Sequence, residues 1–184
     1  VDLKWDFNPT PTELISLTAF YKLIKNPISR IEVASAGGYL SYENIADKAT
    51  VAGVEVEVRK NLFVRPLSSA ANGMNKLSFG LNGSYIYTNA KMPLATVTTG
   101  SQLEGAAPWI ANFDLSHNFT KGTHSFINTL VFNYVSDKIY TIGTQGYQDI
   151  IEQGMMTLDF VSQAKLNKYV SLTLKARNLL NPSY

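Results

Sequence analysis

The chain has 184 residues, 45% hydrophobic and 16% charged, with a formal net charge of +2. This excludes a disordered tail and leaves too little cationic density for a nucleic-acid interface. There is no cysteine, which removes disulfide frameworks, Cys-ligated zinc and thiol nucleophiles together.

No segment approaches 18 uninterrupted apolar residues, so a transmembrane helix is excluded. A transmembrane strand is not, because half its side chains face a lumen and vanish into a mean hydropathy of -0.04. The chain starts at Val1 without an initiator methionine and is expected to be processed or cut.

Eight strands and almost no helix are predicted. The first, residues 1–7, alternates Val1, Leu3, Trp5 and Phe7 against Asp2, Lys4 and Asp6. Asn8-Pro9-Thr10-Pro11-Thr12 breaks it, since proline fixes φ and donates no ladder hydrogen bond. The second, 14–25, sets Ile15, Leu17, Ala19, Tyr21 and Leu23 against Ser16, Thr18 and Lys22, with Phe20 and Ile24 blurring the polar side. Residues 29–43 read as a polar, Gly-rich connection.

The third strand, 49–62, holds the cleanest pattern, Val54-Glu55-Val56-Glu57-Val58-Arg59, with one oily face and one ionised face. A break from Pro66 to Asn75 precedes the fourth, 77–88, and a long polar connection covers 89–107. The fifth, 109–119, leads through a short turn at 120–123 into the sixth, 125–135, which is apolar on both faces. After a connection over 137–153 come the seventh, 156–166, and the eighth, from Val170 to Arg177.

Most of these strands exceed the globular mean of about five to six residues and match the roughly nine to eleven that cross a bilayer at a tilt. Connections are long after the second, fourth and sixth strands and short after the first, fifth and seventh; the third, with about a dozen residues after it, is an exception. The expected fold is therefore all-β: an antiparallel up-and-down meander of about eight long strands, part of a transmembrane β-barrel. Phe7, Phe63, Tyr85, Tyr87, Trp109, Phe119, Tyr134 and Tyr169 fall near strand ends, which suits interfacial girdles and equally suits the general preference of aromatics for strands.

Several stretches resemble the TonB-dependent outer-membrane receptors, notably those of Bacteroidetes type. They are Phe20-Tyr21-Lys22 with Asn26-Pro27-Ile28; Tyr42-Glu43-Asn44 with Ala49 and Gly53-Val54-Glu55; Gly105-Ala106-Ala107-Pro108-Trp109 with Asn112; Asp149-Ile150-Ile151-Glu152 with Leu158-Asp159; and Arg177-Asn178-Leu179-Leu180-Asn181-Pro182. The resemblance implies that residues 1–184 are a C-terminal portion of the barrel, with the plug domain and the final strand absent. It implies outer-membrane lipid as surroundings in a Gram-negative cell, coupling to the TonB system through the absent plug, a surface lipoprotein partner, and uptake of a scarce nutrient such as an iron chelate, cobalamin or a glycan. No enzymatic activity, cofactor, metal or nucleic acid is expected. The alternative reading is a self-contained eight-stranded barrel, acting as a small membrane barrel or a soluble lipid carrier.

Candidate sites are sparse. Glu55 and Glu57 lie about 7 Å apart on one face, but Arg59 beside them favours a charged wall over a glycosidic pair. His117 and His124 flank a turn without further ligands to complete a zinc set. Ser136-Asp137-Lys138 lacks a nucleophile elbow, Gly143-Thr144-Gln145-Gly146 precedes no helix, and the sequons at Asn82 and Asn118 fall inside strands. The ligand-binding candidates are the aromatics of the long connections, Tyr39, Tyr42 and Tyr140, where rings can stack on a solute or simply pack the loop.

Overall fold

The long alternating segments pair into one antiparallel sheet. A computed structural model describes residues 1–33, 37–67, 73–90, 102–144 and 146–182. Its strands are β1 (Asp2–Phe7), β2 (Leu14–Lys25), β3 (Ile28–Glu32), β4 (Leu40–Asn44), β5 (Lys48–Leu67), β6 (Gly73–Ala90), β7 (Trp109–Lys121), β8 (His124–Val135), β9 (Lys138–Thr141), β10 (Ile150–Glu152), β11 (Met155–Lys165) and β12 (Ser171–Ala176). Eight of them make the meander, in the order β1-β2-β5-β6-β7-β8-β11-β12. The expected fold class holds, with one addition. Two short hairpins, β3–β4 and β9–β10, stand where the sequence pattern suggested only connections.

The register separates the two faces of the sheet without ambiguity. Ile15, Val58, Leu81, Phe113, Phe132 and Leu158 stand side by side across consecutive strands. The next row along, on the opposite face, is Ser16, Glu57, Asn82, Asn112, Asn133 and Thr157. The same registers settle β8: Phe126, Leu130, Phe132 and Tyr134 share the apolar face, while Ile127, Val131 and Val135 stand on the polar one.

Among the described residues, nothing covers the apolar face. Val54 and Val56 remain 42% and 37% exposed, so the valines do not gather in an enclosed centre as they would in a soluble carrier. A one-layer sheet with a bare apolar face is stable when hydrocarbon is the solvent on that side. The sheet is also open, with β1 and β12 at its two edges and, among the described residues, unpaired with each other. The closed eight-stranded alternative is therefore not the arrangement formed.

The apparent exception in connection length disappears in the structure. β5 and β6 run past the predicted ends, to Leu67 and from Gly73, which leaves residues 68–72 between them. The pattern had misled because the register shifts between Asn61 and Phe63, leaving Leu62 as an extra residue. Such a bulge reverses the odd–even assignment beyond it. Every short connection then falls at one end of the sheet and every long one at the other, as in an outer-membrane meander.

Aromatics mark two levels on the apolar face. Tyr85 and Trp109 pack at 4.5 Å between ring centroids near the long connections, and Phe119 and Phe126 at 6.5 Å near the short turns. From Trp109 to Phe119 the strand covers about 33 Å, or roughly 25 Å of depth at a tilt near 40°. That is the height of a barrel's apolar band, and it favours the girdle reading.

The C-terminal segment shows how local chemistry ends a strand. Asn178 adopts φ 54°, donates its N–H to an Asp159 carboxylate oxygen at 2.7 Å, and lets Leu179 N–H return to the Leu158 carbonyl at 2.8 Å. Asparagine tolerates this left-handed conformation, whereas a β-branched residue does not. Asn178→Val is expected to destabilise the folded barrel by about 1–2 kcal/mol and Asn178→Gly to be near neutral, as read from urea midpoints in lipid vesicles.

Candidate ligand site at the loop end

The long connections do not hang separately. Ile31, Ile45, Ala46, Ala49, Ala90, Leu103, Ile139 and Ile142 form one buried cluster above the sheet end. Backbone hydrogen bonds tie the pieces together. Glu32 N–H donates to the Ile142 carbonyl at 3.2 Å, Ile142 N–H to Arg30 at 3.0 Å, and Gly105 N–H to Ile139 at 2.9 Å. Leu103 N–H donates to the Thr88 hydroxyl at 3.0 Å, which anchors the connection between β6 and β7 to the end of β6. The result is a small water-excluding cap on a wall that has no core of its own.

Alternation in β3 sends Ser29 and Ile31 into this cap and Arg30 to the other side, where Tyr42 of β4 is its register partner. The Arg30 guanidinium lies 4.2 Å from the Tyr140 ring centroid and 5.8 Å from that of Tyr42. Glu104 approaches from the connection between β6 and β7, its Oε1 3.7 Å from Arg30 Nε, and its other oxygen accepts the Arg30 backbone N–H. Burial works against the Arg30 charge, but the Tyr42 hydroxyl, Tyr140 and Glu104 outweigh it, and its pKa is raised. The cation is thus fixed in place, with Nε buried and donating to no acceptor among the described residues.

Both rings keep open surface, Tyr42 66% and Tyr140 42% exposed. A guanidinium held between two tyrosines offers donors for hydroxyl or carboxylate oxygens beside flat faces for stacking.

The structure brings together two of the three aromatics singled out from sequence. Tyr42 and Tyr140 share Arg30. Tyr39 lies just before β4, so close over Gly37 that a Cβ there would meet its ring at 2.8 Å. Arg30 and Glu104 were not legible as site residues, because 74 positions separate them and only the cap's folding joins them.

The remaining candidates resolve into structural roles. Glu57 pairs with Arg59 at 2.7 Å on the polar face, as a charged wall requires. His117 and His124 are not brought together: their register partners are Asn128 and Lys121, about 13 Å apart along the strand. Among the described residues no group of acidic and histidine side chains is arranged to hold a metal. The Ser136 hydroxyl accepts the Trp109 N–H at 3.0 Å. Asn82 and Asn118 lie on the polar face inside paired strands.

No curated protein and no solved structure matches the chain. The family described as TonB dependent receptor-like, beta-barrel matches residues 1–179. It is a family of outer-membrane receptors and transporters of Gram-negative bacteria, which work with the TonB system on small-molecule substrates. With adjacent apolar and polar rows across its sheet and a match over nearly its whole length, the chain belongs to the TonB-dependent receptor β-barrel family.

Proposed function

We propose that this chain is a C-terminal portion of the barrel wall of a Bacteroidetes-type receptor, and that the Arg30–Tyr42–Tyr140 clasp helps to capture the transported nutrient. The order of the motifs from Phe20 to Pro182 supports the placement, as do two sheet edges that further strands would pair. The observation that carries the capture role is the fixed guanidinium flanked by half-open tyrosine rings at the long-connection end. Long connections lie on the cell exterior in barrels of this kind, where a solute first arrives.

The solute class that fits is polar with a flat face, such as a glycan, a ferric chelate or cobalamin. Tyr39, exposed on the same connection, supplies a further ring at its margin. The TonB system acts through a plug domain, and a surface lipoprotein is the partner expected for a glycan receptor.

The test is calorimetric binding of those three solute classes to the complete receptor. Tyr140→Ala and Arg30→Gln are each expected to weaken the solute that binds by about ten-fold, or ~1.4 kcal/mol. Unchanged affinity in both variants, with the receptor folded, rejects the clasp as a capture site and leaves the barrel assignment intact.

A further inference from the structure

Besides Lys60 and Arg65 of β5, the register partners of Phe79 and Asn75, the apolar face carries one hydrogen-bonded group of polar side chains among the described residues. Near the short turns, His117 of β7, Asn128 of β8 and Ser162 of β11 stand in one register row on the side that meets lipid, and Asn75 of β6 joins them diagonally. His117 Nε2 is 2.8 Å from Asn75 Oδ1, and the Ser162 hydroxyl donates to Asn128 Oδ1 at 2.7 Å. These bonds use the two amide oxygens. Among the described residues, the amide N–H groups of Asn75 and Asn128 donate to no protein acceptor, so they present donors in a region where no water meets them.

Rows on either side define the depth. Toward the membrane centre stand Leu115, Leu130 and Phe160; toward the turns stand Phe119, Phe126 and Ala164. One row further, at the rim, Lys121 and His124 are register partners on the same face. From rim to interior the face therefore reads cation, aromatic, hydrogen-bond donor, aliphatic. A glycerophospholipid presents the complementary sequence: phosphate, glycerol, ester carbonyls, acyl chains.

We propose that this strip, from Lys121 to Asn128, is a binding site for one anionic phospholipid of the leaflet on the short-turn side. The headgroup phosphate sits against Lys121, the ester carbonyls accept from Asn128 and Asn75, and the acyl chains lie along Leu115, Leu130 and Phe160. The site rests on the outward orientation of the apolar face and is independent of the solute clasp. Charge complementarity at the rim and the unmet donors below it select a lipid over a second copy of the chain, which would bring its own cation against Lys121.

Native mass spectrometry of the complete receptor in detergent tests it, with phosphatidylglycerol, phosphatidylcholine or glycerol phosphate as probe. The folded receptor is expected to retain one phosphatidylglycerol. Asn128→Leu, which suits hydrocarbon and preserves the wall, is expected to reduce retention of both lipids about ten-fold. Lys121→Gln, at the rim and outside the band, is expected to abolish the preference for the anionic lipid while leaving phosphatidylcholine unchanged. Full lipid retention by Asn128→Leu, or an undiminished preference for phosphatidylglycerol in Lys121→Gln, overturns the site. So does displacement of the lipid by glycerol phosphate, which marks a free phosphate site. A change of oligomeric state in Asn128→Leu with lipid retention intact also overturns it, because the strip is then a contact between copies.

Discussion

Arginine in place of Leu81 is expected to lower the stability of the folded barrel by about 2–4 kcal/mol in bilayers, while arginine at the adjacent Asn82 changes it by less than ~1 kcal/mol. The two residues are neighbours in sequence and differ only in which way the strand turns them. Leu81 stands between Val58 and Phe113, part-way between the aromatic levels, where no water reaches a guanidinium. Asn82 stands between Glu57 and Asn112 on the polar face, where a new cation gains a carboxylate neighbour. Urea titrations of the complete barrel folded into lipid vesicles measure both. Equal cost at the two positions contradicts the assignment of faces on which the membrane reading depends.

The second large effect is expected at Gly53. Phe20 is on the polar face of β2, opposite Gly53 of β5, and its ring lies directly over the glycine. Lys22 in turn stands 5.2 Å above the Phe20 ring. A Cβ on residue 53 would meet the end of the Phe20 ring and, at 2.6 Å, the Tyr85 backbone carbonyl. The ring can swing away, but the carbonyl belongs to the β5–β6 ladder and cannot. Gly53→Val is expected to cost about 2–3 kcal/mol, the range of overpacking in a fixed site. Adding Phe20→Ala is expected to recover only part of that loss, read from the folded fraction on heat-modifiability gels. Full recovery by Phe20→Ala would show that the ring alone made the site tight.

The same pair explains what could and could not be read along the chain. Phe20 blurred the second predicted strand because an aromatic on the wet face contradicts a binary pattern, yet it covers a glycine that leaves the ladder bare. β2 and β7 were legible because one face of each holds its character over most of the strand, apolar from Ile15 to Leu23 and polar from Asn112 to Thr120. The ends of β5 and β6 were not, since the extra residue at Leu62 reverses the alternation and Pro66 imitates a break. The hairpins β3–β4 and β9–β10 escaped because strands of three to five residues, burying Ser29 and Thr141 as readily as Ile31 and Ile139, carry no pattern long enough to detect. At the candidate site, individual tyrosines were visible as loop aromatics. The arginine that organises two of them depends on contacts between distant connections, which no local spacing encodes.

The cap and the wall also differ in what their unfolding does to water. Opening the cap exposes Ile31, Ile139, Ile142 and their neighbours to an aqueous phase and raises the heat capacity, as melting a small soluble protein does. The wall's outward leucines and phenylalanines, already immersed in hydrocarbon, contribute little to that signal while the chain stays in the membrane. One polypeptide thus contains two thermometers, one tuned by solvent cohesion and the other by the thickness and fluidity of the surrounding lipid.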